Sequence, residues 1–154
     1  MSITLGEKDY RAGGLQRLQE AEIFRDKAKF AGSVYLAGRA VESLLRALIW
    51  KFDAEIRSGR QSLETGHDLR ELLSRVIALG VLAKAEERDD LATMVQWAGR
   101  LWFNNMRFLH TKRLETHWLR LGAVNRKQTV KQAVFANYDV CATIVKRCEV
   151  LCQR

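Results

Sequence analysis

Apolar residues recur every three or four positions along most of the chain, which is the period of an α-helix and not of a β-strand. Between residues 13 and 30, acids and bases occupy the positions between the apolar ones. The pattern therefore predicts an amphipathic first helix. Its apolar stripe is formed by Leu15, Leu18, Ala21, Phe24 and Ala28.

A broader apolar face follows between Ala31 and Ile56 and predicts a longer second helix. Small side chains at its beginning would let another helix approach closely, so we expect this helix to lie at the centre of a bundle. These small residues are Gly32, Ala37, Gly38 and Ala40. The apolar face consists of Val34, Ala37, Val41, Leu44, Leu45, Leu48, Ile49 and Phe52.

A stretch rich in Ser, Gly and Thr predicts the first loop, and further helices are expected after it. Asp68 is the expected N-cap of a third helix that ends at Gly80. A fourth helix is predicted from about residue 83 through residue 108, and a last one from Arg126. Residues 109–125 have a weaker period that suits one short helix.

The chain contains no proline, the residue that most often interrupts helices. Its 154 residues suffice for one domain, and no internal repeat or change in composition divides them. We therefore predict a single all-α domain over residues 1–154. Its expected architecture is an antiparallel up-and-down bundle of four long helices plus one or two short ones.

Three cysteines, Cys141, Cys148 and Cys152, lie at helical spacing near the end of the chain. No CxxC pair or second cluster accompanies them, so buried free thiols are favoured and no metal or cofactor is expected. The first ten residues lack an apolar signal core, and no apolar run approaches the roughly 20 residues that span a bilayer. The expectation is a cytoplasmic protein with no membrane contact.

The net charge of +8 is concentrated in residues 100–131. Of 26 basic and 18 acidic residues in the chain, eight basic residues and one acid lie there. A polyanion such as RNA would be attracted to this segment, although a solvated face without a partner explains the charge equally well. The side chains that could bind an anion are Asn104, Asn105, Lys112, Arg113, Arg120, Arg126, Lys127 and Lys131.

Two of the three histidines, His110 and His117, lie in the same segment, two helical turns apart. An imidazole can exchange a proton with a ribose hydroxyl, while a guanidinium stabilises charge on the phosphate. Arg107, His110 and His117 are therefore the candidate catalytic residues of a metal-independent ribonuclease. The alternative, which spacing alone favours, is that both histidines are polar positions on a partly exposed helix. His67 is interpreted as structural or solvent-facing.

The run AGSVYLAGRAVESLLRALIW, residues 31–50, resembles the signature helix of the HEPN (higher eukaryotes and prokaryotes nucleotide-binding) domain family. The stretch DYRAGGLQRLQEAEIFRDKAKFAG is similar to the first helix of that family, and GHDLRELL is similar to the start of its third. The tripeptide MRF at residues 106–108 resembles an Arg-aromatic pair of many members. The helix-two pattern is matched at Tyr35, Leu36, Ala37, Gly38, Ala40, Glu42, Leu45, Ala47 and Leu48.

The resemblance implies a helical bundle that usually forms a homodimer and acts in RNA processing, toxin-antitoxin or defence systems. Many members are metal-independent ribonucleases that use an Arg and a His with four to six residues between them. Here two residues separate Arg107 from His110, and three separate Arg113 from His117. Arg60 and His67 do have the spacing of the family, but they lie before the third helix, and the pair Lys112 and His117 has a lysine in place of the arginine. Glu42 resembles the helix-two glutamate of the family and needs a partner if buried, for which Arg107 is the candidate.

Other members lack the catalytic pair and act as binding or assembly modules, often beside a small nucleotidyltransferase-type protein. Because no Arg-His pair in residues 107–117 has the spacing of the catalytic members, we expect an RNA- or nucleotide-associated domain that binds or assembles. Metal-independent ribonuclease activity is the alternative.

Overall fold

The computed structural model describes residues 4–63, 66–125 and 127–154. Within these ranges it contains seven α-helices and one 3-10 helix, and no β-strand, so the predicted all-α class is confirmed. The α-helices are α1 (Glu7–Asp26), α2 (Phe30–Phe52), α3 (Ala54–Arg57), α4 (Leu69–Ala78), α5 (Ala85–Leu101), α6 (Thr111–Arg120) and α7 (Val130–Cys152), and the 3-10 helix is Asn104–Phe108.

Helices α1 and α2 are antiparallel because only three residues connect them. Near this connection, the Ser33 hydroxyl donates to the carbonyl oxygen of Ala21 at 2.8 Å. Further along the pair, Gly14 lies directly against Leu44. The two helices therefore stay in contact over several turns.

The direction of α7 follows from two contacts with α1. Arg11, near the start of α1, pairs with Glu149 near the end of α7, and Arg25 at the other end of α1 lies over the ring of Tyr138. The first turns of α5 meet the last turns of α7, where Arg147 of α7 pairs with Asp90 of α5. In the described chain the long helices α1, α2, α5 and α7 thus alternate in direction, as predicted.

Helix α2 lies at the centre of the bundle, and its small residues let other helices approach closely, as expected. Gly38 is in contact with the indole of Trp102, and a Cβ at this position would overlap that ring. The indole nitrogen of Trp102 donates to the carbonyl oxygen of Tyr35 at 3.0 Å. The chain that follows α5 is therefore fixed against α2.

The predicted second helix ends earlier than expected, at Phe52 and not at Ile56. The physical reason is Asp53, whose carboxylate accepts hydrogen bonds from the backbone N–H groups of Glu55 and Ile56 at 3.0 and 3.3 Å. A side chain that satisfies these donors begins a new helix. The short helix α3 was not predicted.

The predicted fourth helix is also shorter than expected, because it ends at Leu101 and not at residue 108. Trp102 has an extended backbone and turns its ring into the core. The 3-10 helix follows, and only then does α6 begin. The predicted catalytic residues therefore lie beyond the end of α5. Arg107 belongs to the 3-10 helix, His110 precedes α6 and His117 belongs to α6.

The ends of the other helices agree more closely with the sequence. Asp68 caps α4 by accepting from the backbone N–H of Arg70 at 2.9 Å, and Gly80 after this helix has a φ of +72°, as predicted. The last helix starts at Val130, where Thr129 is the cap. Its predicted start, Arg126, lies outside the described residues.

The three cysteines are buried on the inner side of α7 and form no disulfide, as predicted. Burial raises the pKa of the Cys141 thiol to about 12 and that of Cys152 to about 11. Within the described residues no helix is both long enough and apolar enough to cross a membrane.

Candidate functional site

Helix α6 forms because one side of it is apolar and its first turn has a cap. Leu114 and Trp118, four residues apart, are fully buried, and the Trp118 indole nitrogen donates to the carbonyl oxygen of Leu101 at 3.3 Å. His110 is the N-cap, and its Nδ1 accepts from the backbone N–H of Arg113 at 3.4 Å. Because the apolar side of α6 packs into the core of the bundle, the polar side chains of α6 lie at the surface.

Three of these polar side chains share one face of α6. Arg113, His117 and Arg120 are separated by four and three residues, which places them above one another on a helix. Both arginines are exposed, whereas His117 is half-buried and lies edge-on to Phe103, with 5.2 Å between the ring centroids. An imidazole between two guanidiniums therefore has its position fixed by an aromatic ring.

Further basic side chains lie on α6 or in the chain on either side of it. Lys112 is exposed on α6, and Arg100 donates to the carbonyl oxygen of Leu121 at 2.5 Å, just after α6 ends. Arg107 is exposed and lies over the ring of Phe108, which is 75% exposed. We call Arg100, Arg107, Lys112, Arg113, His117 and Arg120 the basic face.

The charges of the basic face are not neutralised within the part of the chain that the structure describes. None of its arginines or lysines forms a salt bridge there, although eleven such pairs occur elsewhere in the described chain. The acid of this segment, Glu115, is exposed. An unpaired positive surface attracts anions more strongly than a surface of ion pairs does.

The other predicted anion ligands have different positions. Lys127 and Lys131 are exposed beside the start of α7, whereas Arg126 lies outside the described residues. Asn105 is exposed, but the amide oxygen of Asn104 is buried and has no hydrogen-bond partner in the described structure. Asn104 therefore directs its amide oxygen inward and not toward a ligand on the surface.

The three candidate catalytic residues are not brought into contact with one another in the described chain. Arg107 lies on Phe108, His110 caps α6, and His117 packs against Phe103. Two helical turns, or about 10 Å along the axis, separate the two histidines. The pair that does share a face is Arg113 and His117.

The predicted pairing of Glu42 with Arg107 is wrong, because Glu42 has other partners. Arg39 donates to its carboxylate at 2.6 Å, Arg46 at 2.9 Å, and His67 Nδ1 lies 2.9 Å away. Both arginines lie on α2 itself, three residues before and four residues after Glu42, a spacing that the sequence already contains. Arg39 and Arg46 are therefore site residues that the sequence analysis missed.

His67 contacts the carboxylate of Glu42 and its side chain is 45% exposed, which agrees with the structural side of its interpretation. Arg46 donates to the carbonyl oxygens of Leu63 and Gly66, which precede His67 in the chain. The loop before α4 is thereby attached to α2. No group of three or more His, Cys, Asp or Glu side chains in the described residues could hold a metal ion.

Comparison of the chain with known proteins gives no assignment. No protein-family model, no curated protein and no solved structure matches it. The resemblance to the HEPN family therefore rests on the sequence pattern of α2 and its neighbours.

Proposed function

We propose that the chain is a HEPN-like helical domain that binds RNA through the basic face. The observation that carries this proposal is that the arginines and lysines of this face are solvent-accessible and form no salt bridge in the described chain. The phosphates of RNA displace counterions when they bind such a surface, so the affinity for RNA falls as the salt concentration rises.

Two features favour RNA over a free nucleotide. Helix α6 has ten residues and is about 15 Å long, so its arginines can contact more than one phosphate of a polymer. Phe103, which packs against His117, and Phe108, which lies under Arg107, are both exposed, and exposed rings give unpaired bases a surface for stacking. Single-stranded RNA is therefore the expected ligand.

The resemblance to the HEPN family adds a biological setting to this binding. It suggests a homodimer that acts in RNA processing, a toxin-antitoxin system or defence, with a small nucleotidyltransferase-type protein as a candidate partner. Binding or assembly is proposed ahead of catalysis because the Arg-His spacing differs from that of the catalytic members.

The test is the salt dependence of RNA binding, measured by fluorescence polarisation of a labelled single-stranded RNA in EDTA between about 50 and 200 mM salt. The variant Lys112→Gln/Arg113→Gln/Arg120→Gln removes three charges from the basic face. Because each lost phosphate contact on a single strand lowers the log-log salt slope by about 0.7, we expect a slope that is shallower by about 2.

A matched control removes three exposed charges elsewhere, in the variant Lys8→Gln/Lys146→Gln/Arg154→Gln. This variant should keep the slope of the wild type. Binding that does not weaken with salt, or an equal loss of affinity in both variants, would exclude the proposed face.

A metal-independent ribonuclease is the second candidate, favoured by the position of Arg113 one turn before a His117 ring that Phe103 holds in place. The same RNA is incubated with the protein in EDTA and its length is followed on a gel. Cleavage that is lost in His117→Ala and in His110→Ala would support this activity. Intact RNA, or cleavage that neither substitution changes, would exclude the ribonuclease activity and leave RNA binding as the proposed function.

A further inference from the structure

A second candidate site, which shares no residue with the basic face, is a cavity of about 560 Å³. Residues of α1, of α2 and of the segment before α4 line this open cavity, and its volume is in the range of small-molecule sites. Its polar lining includes Asp9, Tyr10, Arg39, Ser43 and His67. None of these residues belongs to the proposed RNA surface.

The first feature that points to a ligand is the orientation of His67. A carboxylate can only accept hydrogen bonds, so the 2.9 Å contact between Glu42 and His67 Nδ1 requires the proton on Nδ1. The 3.2 Å contact of Arg39 with the same nitrogen is then not a hydrogen bond. Glu42 thus fixes the ring and leaves Nε2 as the nitrogen that can bind a ligand in the cavity.

The second feature is the difference between the two arginines that contact Glu42. Arg46 is only 11% exposed, neutralises Glu42 and also donates to two carbonyl oxygens of the loop. Arg39 is 34% exposed and contacts Glu42 through one nitrogen, Nη1. A guanidinium has five N–H donors, so Arg39 retains donors that can face the cavity.

We propose that this cavity binds the phosphate group of a small hydroxylated molecule. Arg39 donates to the phosphate oxygens, and His67 Nε2 either accepts from a protonated phosphate oxygen or donates to an ionised one. A carboxylate at neutral pH has no O–H group for the first of these bonds. Phosphate therefore fits His67 in both of its protonation states.

The hydroxyl groups of the ligand are assigned to the α1 side of the cavity. Asp9 lies there, with one carboxylate oxygen already accepting from the backbone N–H of Gly6 at 2.8 Å. This negative charge repels a phosphate but accepts hydrogen bonds from hydroxyls, as Tyr10 and Ser43 also can. The phosphate thus lies at the end with Arg39 and His67.

The test uses the resonances of the His67 ring nitrogens in ¹⁵N-histidine-labelled protein at constant pH and ionic strength. Glycerol 3-phosphate and inorganic phosphate should each shift them saturably, the former at lower concentration, whereas acetate should not. Arg39→Gln should weaken binding at least about tenfold, because a charge-assisted hydrogen bond is lost. Arg147→Gln is the control, since Arg147 is similarly exposed and also pairs with one acid.

Thermal unfolding gives an independent measurement, since a ligand that binds the folded state raises Tm. Glycerol 3-phosphate should raise Tm of the wild type and of Arg147→Gln but not of His67→Gln. Resonances of His67 that do not respond, an equal loss in Arg39→Gln and Arg147→Gln, or saturation by acetate would overturn the proposal. RNA binding should be unchanged in Arg39→Gln, so this result and that of the basic face are independent.

Discussion

Glu42 is a carboxylate inside the bundle, with a side chain that is only 3% exposed. A buried charge is tolerated only when it is paired and hydrogen-bonded, and Glu42 has Arg39, Arg46 and His67 around it. The same group of side chains attaches the loop before α4 to α2. One acidic residue therefore affects both the stability of α2 and the shape of the cavity beside it.

We expect Glu42→Gln to lower the free energy of unfolding by about 3 kcal/mol, because the buried side chain would lose the charge that Arg39 and Arg46 both bind. Urea unfolding at pH 7, followed by circular dichroism, measures this change. The m value should be unchanged if the folded state keeps its compactness.

An ion pair on the surface provides the control for this substitution. Glu55 pairs with Arg60 at 2.9 Å, but both side chains are exposed. Glu55→Gln should therefore change the free energy of unfolding by about 0.5 kcal/mol or less. Equal effects of the two substitutions would show that burial of Glu42 does not determine its contribution.

The contact between α2 and the end of α5 depends on a glycine at one position. A Cβ at Gly38 would overlap the indole of Trp102, which is buried and hydrogen-bonded to Tyr35. Gly38→Ala should thus cost about 1–3 kcal/mol from overpacking, despite the higher helix propensity of alanine. Thermal unfolding of the purified variant measures this loss.

The same substitution on α1 should have the opposite sign. A Cβ at Gly13 would meet no atom within 4 Å, so Gly13→Ala should stabilise the protein by about 0.5–1 kcal/mol. Destabilisation by both substitutions would mean that the close approach of Trp102 is not the cause of the loss at Gly38.

The long helices could be predicted because their apolar period extends over many turns, but their ends depend on single contacts. Asp53 ends α2 by accepting from two backbone N–H groups of α3, and Trp102 ends α5 by turning into the core. A short polar residue such as Asp53 can lie within a helix or cap one. A large apolar residue such as Trp102 can belong to the apolar stripe of a helix or follow its end. A prediction from the apolar period alone therefore makes both helices too long.

The basic face could be predicted from charge, since its residues lie within one segment of the sequence. The group around Glu42 was missed because one of its contacts joins residues 25 positions apart, from Glu42 to His67. Such a contact depends on how the loop folds back onto α2. The arginines of the same group have helical spacing to Glu42 and were the available signal.

At the scale of the whole molecule, two ion pairs connect different helices. Arg11 connects α1 to Glu149 of α7, and Asp53, at the start of α3, accepts from Arg75 of α4 at 2.8 Å. In each pair the hydrogen bond from the guanidinium is the main cause of a lowered pKa of the acid. Stability of the bundle is therefore linked to pH through these two carboxylates.

Asp53→Asn separates the charge of this residue from its role as a cap, because asparagine also caps helices well. The pKa of Asp53 is lowered from its ordinary value of 3.8, so the folded state releases the proton more readily than the unfolded state does. The contribution of the ion pair is complete above that value and is lost as the pH falls through the lower, folded-state pKa. At pH 7 we expect the variant to be less stable by about 2 kcal/mol.

Urea unfolding at several pH values between about 2 and 7 measures how this difference changes. The gap between the wild type and Asp53→Asn should narrow below pH 3.8, since the wild type then also loses its charge at residue 53. Asp139→Asn removes an exposed carboxylate from α7 and should follow the curve of the wild type. A gap that is equally large at pH 2 and pH 7 would assign the contribution of Asp53 to its hydrogen bonds with α3 and not to the charge that Arg75 binds.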